Sequence, residues 1–242
     1  RPPRSTLFPY TTLFRSNIFN TGISLQTCSF PTSIKLAIVN PAFKKSDALS
    51  KVNYRPISIL STVSKIFERL LDRQLLDVNT RILHDGISAY RINYNCQSVL
   101  LHAVETWKLA LDQRKQVGIL LMDLSKAFDS ISHPLLLAKL HAYGFADNAV
   151  RLLASYLTGR SQKVKIQSEY SNCNILKRGV PQGSVLGRSL FNFLINDLFW
   201  FIEKSILSSF ADDNTLTTIA DSAGEVKRLL MDESAIAVKW YK

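Results

Sequence analysis

Cysteine is scarce in this chain of 242 residues: the three present, Cys28, Cys96 and Cys173, are far apart and odd in number. That excludes a disulfide framework and any clustered zinc-ligand spacing, and it suits a reducing compartment. Long apolar runs are lacking as well. The best of them, residues 117–122 and 189–202, are too short or too interrupted by polar side chains to cross a bilayer, so no membrane partner is expected. Acidic residues are the minority sign: 19 Asp and Glu stand against 30 Lys and Arg, a net charge of +11 and a pI near 9.7. An anionic partner follows from that balance. Methionine occurs only as Met122 and Met231, and the sequence opens on Arg1, so a natural start is not expected within it. The first sixteen residues, RPPRSTLFPYTTLFRS, carry no helical or strand periodicity. They resemble a translated sequencing adapter and are set aside. There is no internal repeat or low-complexity tract. What the chain does have is 46% hydrophobic residues, enough to build one large core or two packed ones.

Apolar periodicity supplies the elements. From Val63 the residues Ile66, Phe67, Leu70, Leu71, Leu75 and Val78 recur at three and four residue spacing, which predicts an amphipathic helix. Leu100, Val104, Trp107 and Leu111 predict a second, with Glu105, Lys108, Asp112 and Arg114 turned away. After Gly118 the run Ile119-Leu120-Leu121-Met122 reads as a buried strand ending in Asp123. Pro134 opens a short helix that Gly144 ends, and residues 147–157 repeat the pattern up to Gly159. Residues 162–168 alternate as a half-exposed strand, with residues 173–180 as its expected hairpin partner. A helix is expected from the Pro181-Gln182-Gly183 turn through Leu190, Phe193, Leu194 and Ile202. Residues 208–211 and 215–219 read as strands around a tight polar turn, Asp212-Asp213-Asn214. Ser222 and Glu225 form a capping box for a last helix. The result is an α+β arrangement around an antiparallel sheet.

Two acidic sites follow apolar strands: Asp123, and the pair Asp212-Asp213. Carboxylates gathered at strand ends repel one another unless a cation neutralises them, and three together suit two Mg²⁺ ions. Taken singly, Asp-Asp also reads as an ordinary turn and Asp123 as a helix cap. Spacing alone does not bring residue 123 beside residue 212.

The words around these acids resemble the reverse transcriptases of LINE-type (non-LTR) retrotransposons. VGILLMDLSKAFDSI (117–131) resembles the motif of the first metal-binding aspartate. RGVPQGSVLG (178–187) resembles the turn and helix that hold nucleotide and template, and FADD (210–213) the hairpin of the second aspartate. NYRPISIL (53–60) and SAYRINYNCQSVL (88–100) resemble fingers motifs. The resemblance runs over roughly residues 31–241, in family order.

It implies a right-hand polymerase fold. Residues 1–34 form a poorly determined N-terminal segment, 35–117 the fingers and 118–242 the palm, with a fingers excursion at about 161–178 and no thumb. It implies RNA-directed DNA synthesis, in which a primer 3′-hydroxyl attacks a dNTP, with Mg²⁺ as cofactor and Mn²⁺ as a substitute. The partners implied are an RNA template, a DNA primer and dNTPs, in an intracellular ribonucleoprotein of nucleus and cytoplasm. By position, Asp123, Asp212 and Asp213 become the catalytic metal ligands. Phe128 becomes the ring under the sugar, its other reading being core packing. Gln182 and Gly183 face the nucleotide. Arg91 grips the triphosphate, unless it is a plain surface arginine. Arg55, Lys44, Lys45 and Lys51 line the nucleic-acid path, although a solvated charge run fits the lysines equally. Departures are Arg188 where the family has proline, and Ile92-Asn93 after the fingers arginine. The rival expectation is an inactive, truncated element that only binds nucleic acid.

Overall fold

The computed structural model describes residues 26–124 and 127–241. In chain order they form β1 (Leu36–Phe43), β2 (Tyr54–Leu60), α1 (Thr62–Ile82), α2 (Cys96–Asp112), β3 (Gln116–Asp123), α3 (Ala127–Ser130), α4 (His133–Ala142) and α5 (Asp147–Leu157). Then come β4 (Ser161–Ile166), β5 (Glu169–Tyr170), β6 (Asn174–Ile175), α6 (Leu186–Ile195), α7 (Leu198–Phe201), β7 (Ile206–Phe210), β8 (Asp213–Ala220) and α8 (Ala223–Tyr241). They divide into two compact units: residues up to 71 with 132–187, and residues 72–131 with 188 onward. These units cut across the expected partition at 117/118, since residues 72–117 fall in the second and 132–187 in the first. The sixteen-residue opening segment lies outside the described residues.

In the first unit β1 pairs antiparallel with β2, from Phe43↔Tyr54 to Ala37↔Leu60. Its other edge runs parallel to β4, from Leu36↔Ser161 to Val39↔Val164. β5 and β6 both pair with β4, and of the expected partner strand at 173–180 only residues 174–175 are strand. Ala37 and Val39 alternate inward as period-two patterning requires, and Phe67 and Leu71 of α1 are buried as expected. Phe30 meets Phe67 and Tyr156 edge to face, with centroids 4.9 and 5.1 Å away. Such pairs add about 0.5–1.5 kcal/mol beyond their area. Pro134 sits in the first turn of α4, and Gly144 beyond its end takes φ +86°, a conformation costly for any other residue.

The second unit holds a three-stranded antiparallel sheet in the order β3-β8-β7. α8 covers one face. A side chain at Gly118 would collide there, its Cβ falling 2.2 Å from Val226 Cγ1 and 2.8 Å from Leu230 Cδ1, so only glycine lets β3 and α8 approach. α2 lies toward the other face, where Trp107 Nε1 donates to Thr217 Oγ1 at 3.3 Å. Its first turn is closed by reciprocal bonds between Asn95 and Ser98, a capping box unread in the sequence. The expected box at α8 has one of its bonds, Glu225 N to Ser222 Oγ.

Three expectations are corrected. β3 is an edge strand, not a buried one, and Ile119 and Leu121 are exposed. A continuous apolar run fits both environments, and only pairing tells them apart. On α2, Leu100 and Leu111 are exposed while Ala110 is buried, and Trp107 bonds to the sheet. The helix expected to reach Ile202 breaks between α6 and α7. Buried Asn196 explains the break: its amide accepts from His84 N at 2.7 Å and donates to Ile82 O at 3.1 Å. No helix among the described residues is long and apolar enough to cross a membrane.

Candidate active site

The sheet of the second unit brings together the acids that sequence spacing could not. β7 and β8 form a hairpin in which Phe210 pairs with Asp213, leaving Ala211 and Asp212 as a two-residue turn. Ala211 takes φ +60° there, the left-handed conformation that such turns demand. The turn is thus one residue earlier than expected: Asp213 begins β8, and Asn214 is buried within it. On the other side of β8, Asp123 stands directly across from Asp213. The amide of Leu124 donates to Asp212 O at 3.3 Å, tying the end of β3 to the hairpin turn. All three acids therefore gather at one end of the sheet.

Opposed residues on antiparallel strands have Cα atoms roughly 4.5–5.5 Å apart, and like charges so placed repel. Asp123 and Asp213 are exposed and Asp212 is half-buried. No ion pair among the described residues neutralises any of them. A facing pair of hard oxygen donors with a third beside it fits a Mg²⁺ site by chemistry. The side chains do not converge, among the described residues, into a three-ligand cluster.

A further segment flanks this end of the sheet. Ile87 bridges in parallel to Ser209 of β7, with Ser209 N donating to Gly86 O at 2.8 Å and Ser88 N to Ser209 O at 3.0 Å. Asn192 of α6 holds the same segment by donating to Ala89 O at 2.8 Å. Tyr90 emerges from it at φ +61°, strain that a side chain bears only when its surroundings hold it. The guanidinium of Arg188 lies 5.4 Å over its ring. Burial and the Asp212 carboxylate push the Tyr90 phenol above the ordinary tyrosine range, with Arg188 opposing. Tyr90 and Arg188 escaped the sequence reading. The only signal was Arg188 standing where the resembling family has proline.

Arg91 sits one residue on, and its guanidinium is engaged within its own loop. It donates to His84 O and Ile87 O, both at 2.9 Å, and stacks 4.2 Å from the Tyr94 ring. The side chain is 6% exposed, with Asp85 3.8 Å away. Phe128, on α3, packs at 4.8 Å on Phe191 of α6.

Gln182 and Gly183 belong to the first unit, on a turn pinned to β2. Ser58 N donates to Gln182 O at 2.7 Å, and a Cβ at Gly183 would lie 2.8 Å from Ser58 O. Gly183 has φ +112° as well, so both space and conformation require glycine. Lys44, Lys45 and Lys51 are exposed in the connection between β1 and β2, and Arg55 is exposed on β2 across from Ala42.

The family described as reverse transcriptase (RNA-dependent DNA polymerase) matches residues 43–238. This chain belongs to the reverse transcriptase family. Among its relatives, the probable RNA-directed DNA polymerase from transposon BS of Drosophila melanogaster is 30% identical, covering 95% of this chain and 26% of that protein. The probable RNA-directed DNA polymerase from transposon X-element of the same fly is 32% identical, over 85% of this chain and 23% of that one. The polymerase from the mobile element jockey of Drosophila funebris is 28% identical, over 87% and 24%. These relatives are polymerases of non-LTR retrotransposons, as the motifs implied. The chain spans about a quarter of their length. Among solved structures, a telomerase from Candida tropicalis aligns with a TM-score of 0.59 at 11% identity, over 90% of this chain and 50% of that one. A telomerase from Candida albicans gives 0.54 at 14%, over 92% and 44%. They bear out the α+β polymerase fold with its antiparallel sheet.

Proposed function

We propose that this chain is the fingers and palm of an RNA-directed DNA polymerase from a non-LTR retrotransposon, adding dNTPs to a primer 3′-hydroxyl on an RNA template. The observation that supports it most is the register that sets Asp123 against Asp213 with Asp212 in the adjoining turn. The reverse transcriptase family generally uses divalent metal ions. Here Asp123, Asp212 and Asp213 would hold two Mg²⁺, for which Mn²⁺ is the natural substitute. When bound, the ions supply charge to the attacking and leaving oxygens of the phosphoryl transfer.

The rest falls to the chain's own residues, which position more than they react. The turn carrying Gln182 and Gly183 offers backbone that a nucleotide can approach closely, since glycine leaves no side chain in the way. Phe128 stands five residues after Asp123 and packs on Phe191; its ring is the group that would exclude a sugar 2′-hydroxyl. Arg91 holds the loop beneath Tyr90 and contributes to the triphosphate site by fixing that loop. Lys44, Lys45, Lys51 and Arg55, exposed on the β1–β2 hairpin, contact template and primer phosphates, which dominate nucleic-acid affinity. The fingers then comprise roughly residues 35–117 and the 161–178 excursion, and the palm the remainder.

Primer extension on an RNA template tests the proposal. Mg²⁺-dependent extension that Asp212→Asn abolishes, with template binding intact, is the expected result. Template binding without any Mg²⁺-dependent extension would overturn it in favour of an inactive element that retains only nucleic-acid binding.

A further inference from the structure

Glu68 is fully buried, and no basic side chain is paired with it among the described residues. An ionised carboxylate in such a place must be compensated by hydrogen bonds or leave the fold strained. Its compensation comes almost entirely from one turn. Oε2 accepts from Ser184 Oγ at 2.8 Å, from Val185 N at 2.7 Å and from Leu186 N at 3.4 Å. Oε1 accepts from Ser64 Oγ, one turn back on α1, at 3.2 Å. Val185 immediately precedes α6 and Leu186 opens it, so these amides are among the unsatisfied donors of a helix start, where the helix dipole also favours an anion. Glu68 is therefore a cap supplied from another helix, 117 residues away in sequence from Val185.

The cap is itself supported. Ser184 Oγ is shared with the Tyr156 hydroxyl at 2.7 Å and receives Gly187 N at 2.9 Å. Tyr156 is fully buried, and burial together with the Glu68 carboxylate holds its phenol well above the ordinary tyrosine range. The guanidinium of buried Arg160 lies 4.7 Å over the Tyr156 ring and donates to Tyr156 O at 3.3 Å. On the far side of the same turn, Ser58 N holds Gln182 O. Pro181 and Ser184 are buried, Gly183 is exposed and Gln182 is half-exposed. The turn is thus gripped from beneath on both flanks and offers only its crest, Gln182-Gly183.

We infer that Glu68 is a positioning residue for nucleotide binding: through Ser184 and the first amides of α6 it sets the height and orientation of the Gln182-Gly183 crest against the incoming dNTP. The inference rests on the proposed role of that crest. Glu68 touches no substrate. Its influence is on where the crest sits, so loss of the carboxylate shifts nucleotide affinity before it shifts the chemical step or the grip on template.

The test compares Glu68→Gln, Ser184→Ala and Gln182→Ala in the full chain. Three quantities are read: dNTP affinity by equilibrium binding to the protein–template–primer complex, KM and kcat for single-nucleotide extension, and template–primer Kd. Glu68→Gln keeps the size of the side chain but puts an amide where a carboxylate accepts three bonds. Charge-assisted bonds of this kind are strong, so an increase of about tenfold in dNTP Kd and KM is expected. Values of kcat and template–primer Kd should change by less than about twofold. Ser184→Ala should move the same quantities in the same direction by less. Unchanged dNTP affinity in Glu68→Gln, beside a clear loss in Gln182→Ala, overturns the role of Glu68 while leaving the crest in place. Unchanged affinity in Gln182→Ala overturns the reading of the crest and the inference with it. A uniform fall in melting temperature, kcat and template affinity would mark Glu68 as structural support only. Should Glu68→Gln fail to fold, Ser184→Ala decides by the same criteria.

Discussion

Replacing Asp123 by asparagine should make the protein more stable and less active at once. In the sheet Asp123 and Asp213 face each other across β3 and β8, both exposed and neither ion-paired among the described residues. Two unit charges roughly 5 Å apart in a water-like medium repel by about 0.8 kcal/mol, within the range of about 0.2–1 kcal/mol known for cross-strand pairs. Asparagine keeps the shape and removes the charge. For a chain of this size a change of that order raises the melting temperature by roughly 2 °C, and high salt, which screens exposed charges, should shrink the gain. Magnesium should reverse the ranking. At ten times its dissociation constant, an ion that binds only the folded state stabilises by about 1.4 kcal/mol. The wild type should gain this and Asp123→Asn should lose most of it, while extension falls more than about tenfold and template binding holds. Thermal melts with and without Mg²⁺, at low and high salt, give the answer. If Asp123→Asn melted lower than the wild type in chelator, or if Mg²⁺ stabilised both equally, the carboxylates would not share a cation and the proposed site would be refuted.

Gly118→Val should destabilise by about 1–3 kcal/mol, because the new side chain enters space held by Val226 and Leu230; an unchanged urea midpoint would mean that β3 and α8 do not approach as described. Phe128→Val should lower the ratio of kcat/KM for dNTP over rNTP, since the ring braced by Phe191 is proposed to exclude a 2′-hydroxyl; an unchanged ratio would return Phe128 to core packing alone. Tyr156 and Tyr90 have raised pKa values, so the folded state holds their protons more tightly than the unfolded one. Their contribution to stability is therefore complete below the ordinary tyrosine range, about pH 10, and is lost as pH climbs through the higher folded values. Absorbance titration at 295 nm should show fewer than the eight tyrosines ionising while the protein stays native, and Tyr156→Phe should leave that native count unchanged.

Asp123 and the Asp212-Asp213 pair stood out in the sequence because each follows an apolar run within a recognisable word. α1, α4 and α5 were legible from periodicity, with Pro134, Gly144 and Gly159 as punctuation, because helix-forming information is local. Hairpin formation by β7 and β8 was equally local, though not its register: the choice of Ala211-Asp212 as the turn depends on Asn214 being drawn into the core. Strand environment was not legible, which is why Ile119-Leu120-Leu121-Met122 looked buried and is an edge. Pairing partners lie far off in the chain, and a run of apolar residues carries no record of them. Arg91 carried two readings in the sequence, a triphosphate ligand and a plain surface arginine; in the structure its guanidinium is engaged by carbonyls within its own loop. Glu68 went unread in the sequence. Only tertiary structure placed its carboxylate at the start of α6, and only the sheet set Asp123 against Asp213. Backbone hydrogen bonding between distant segments decides which side chains meet.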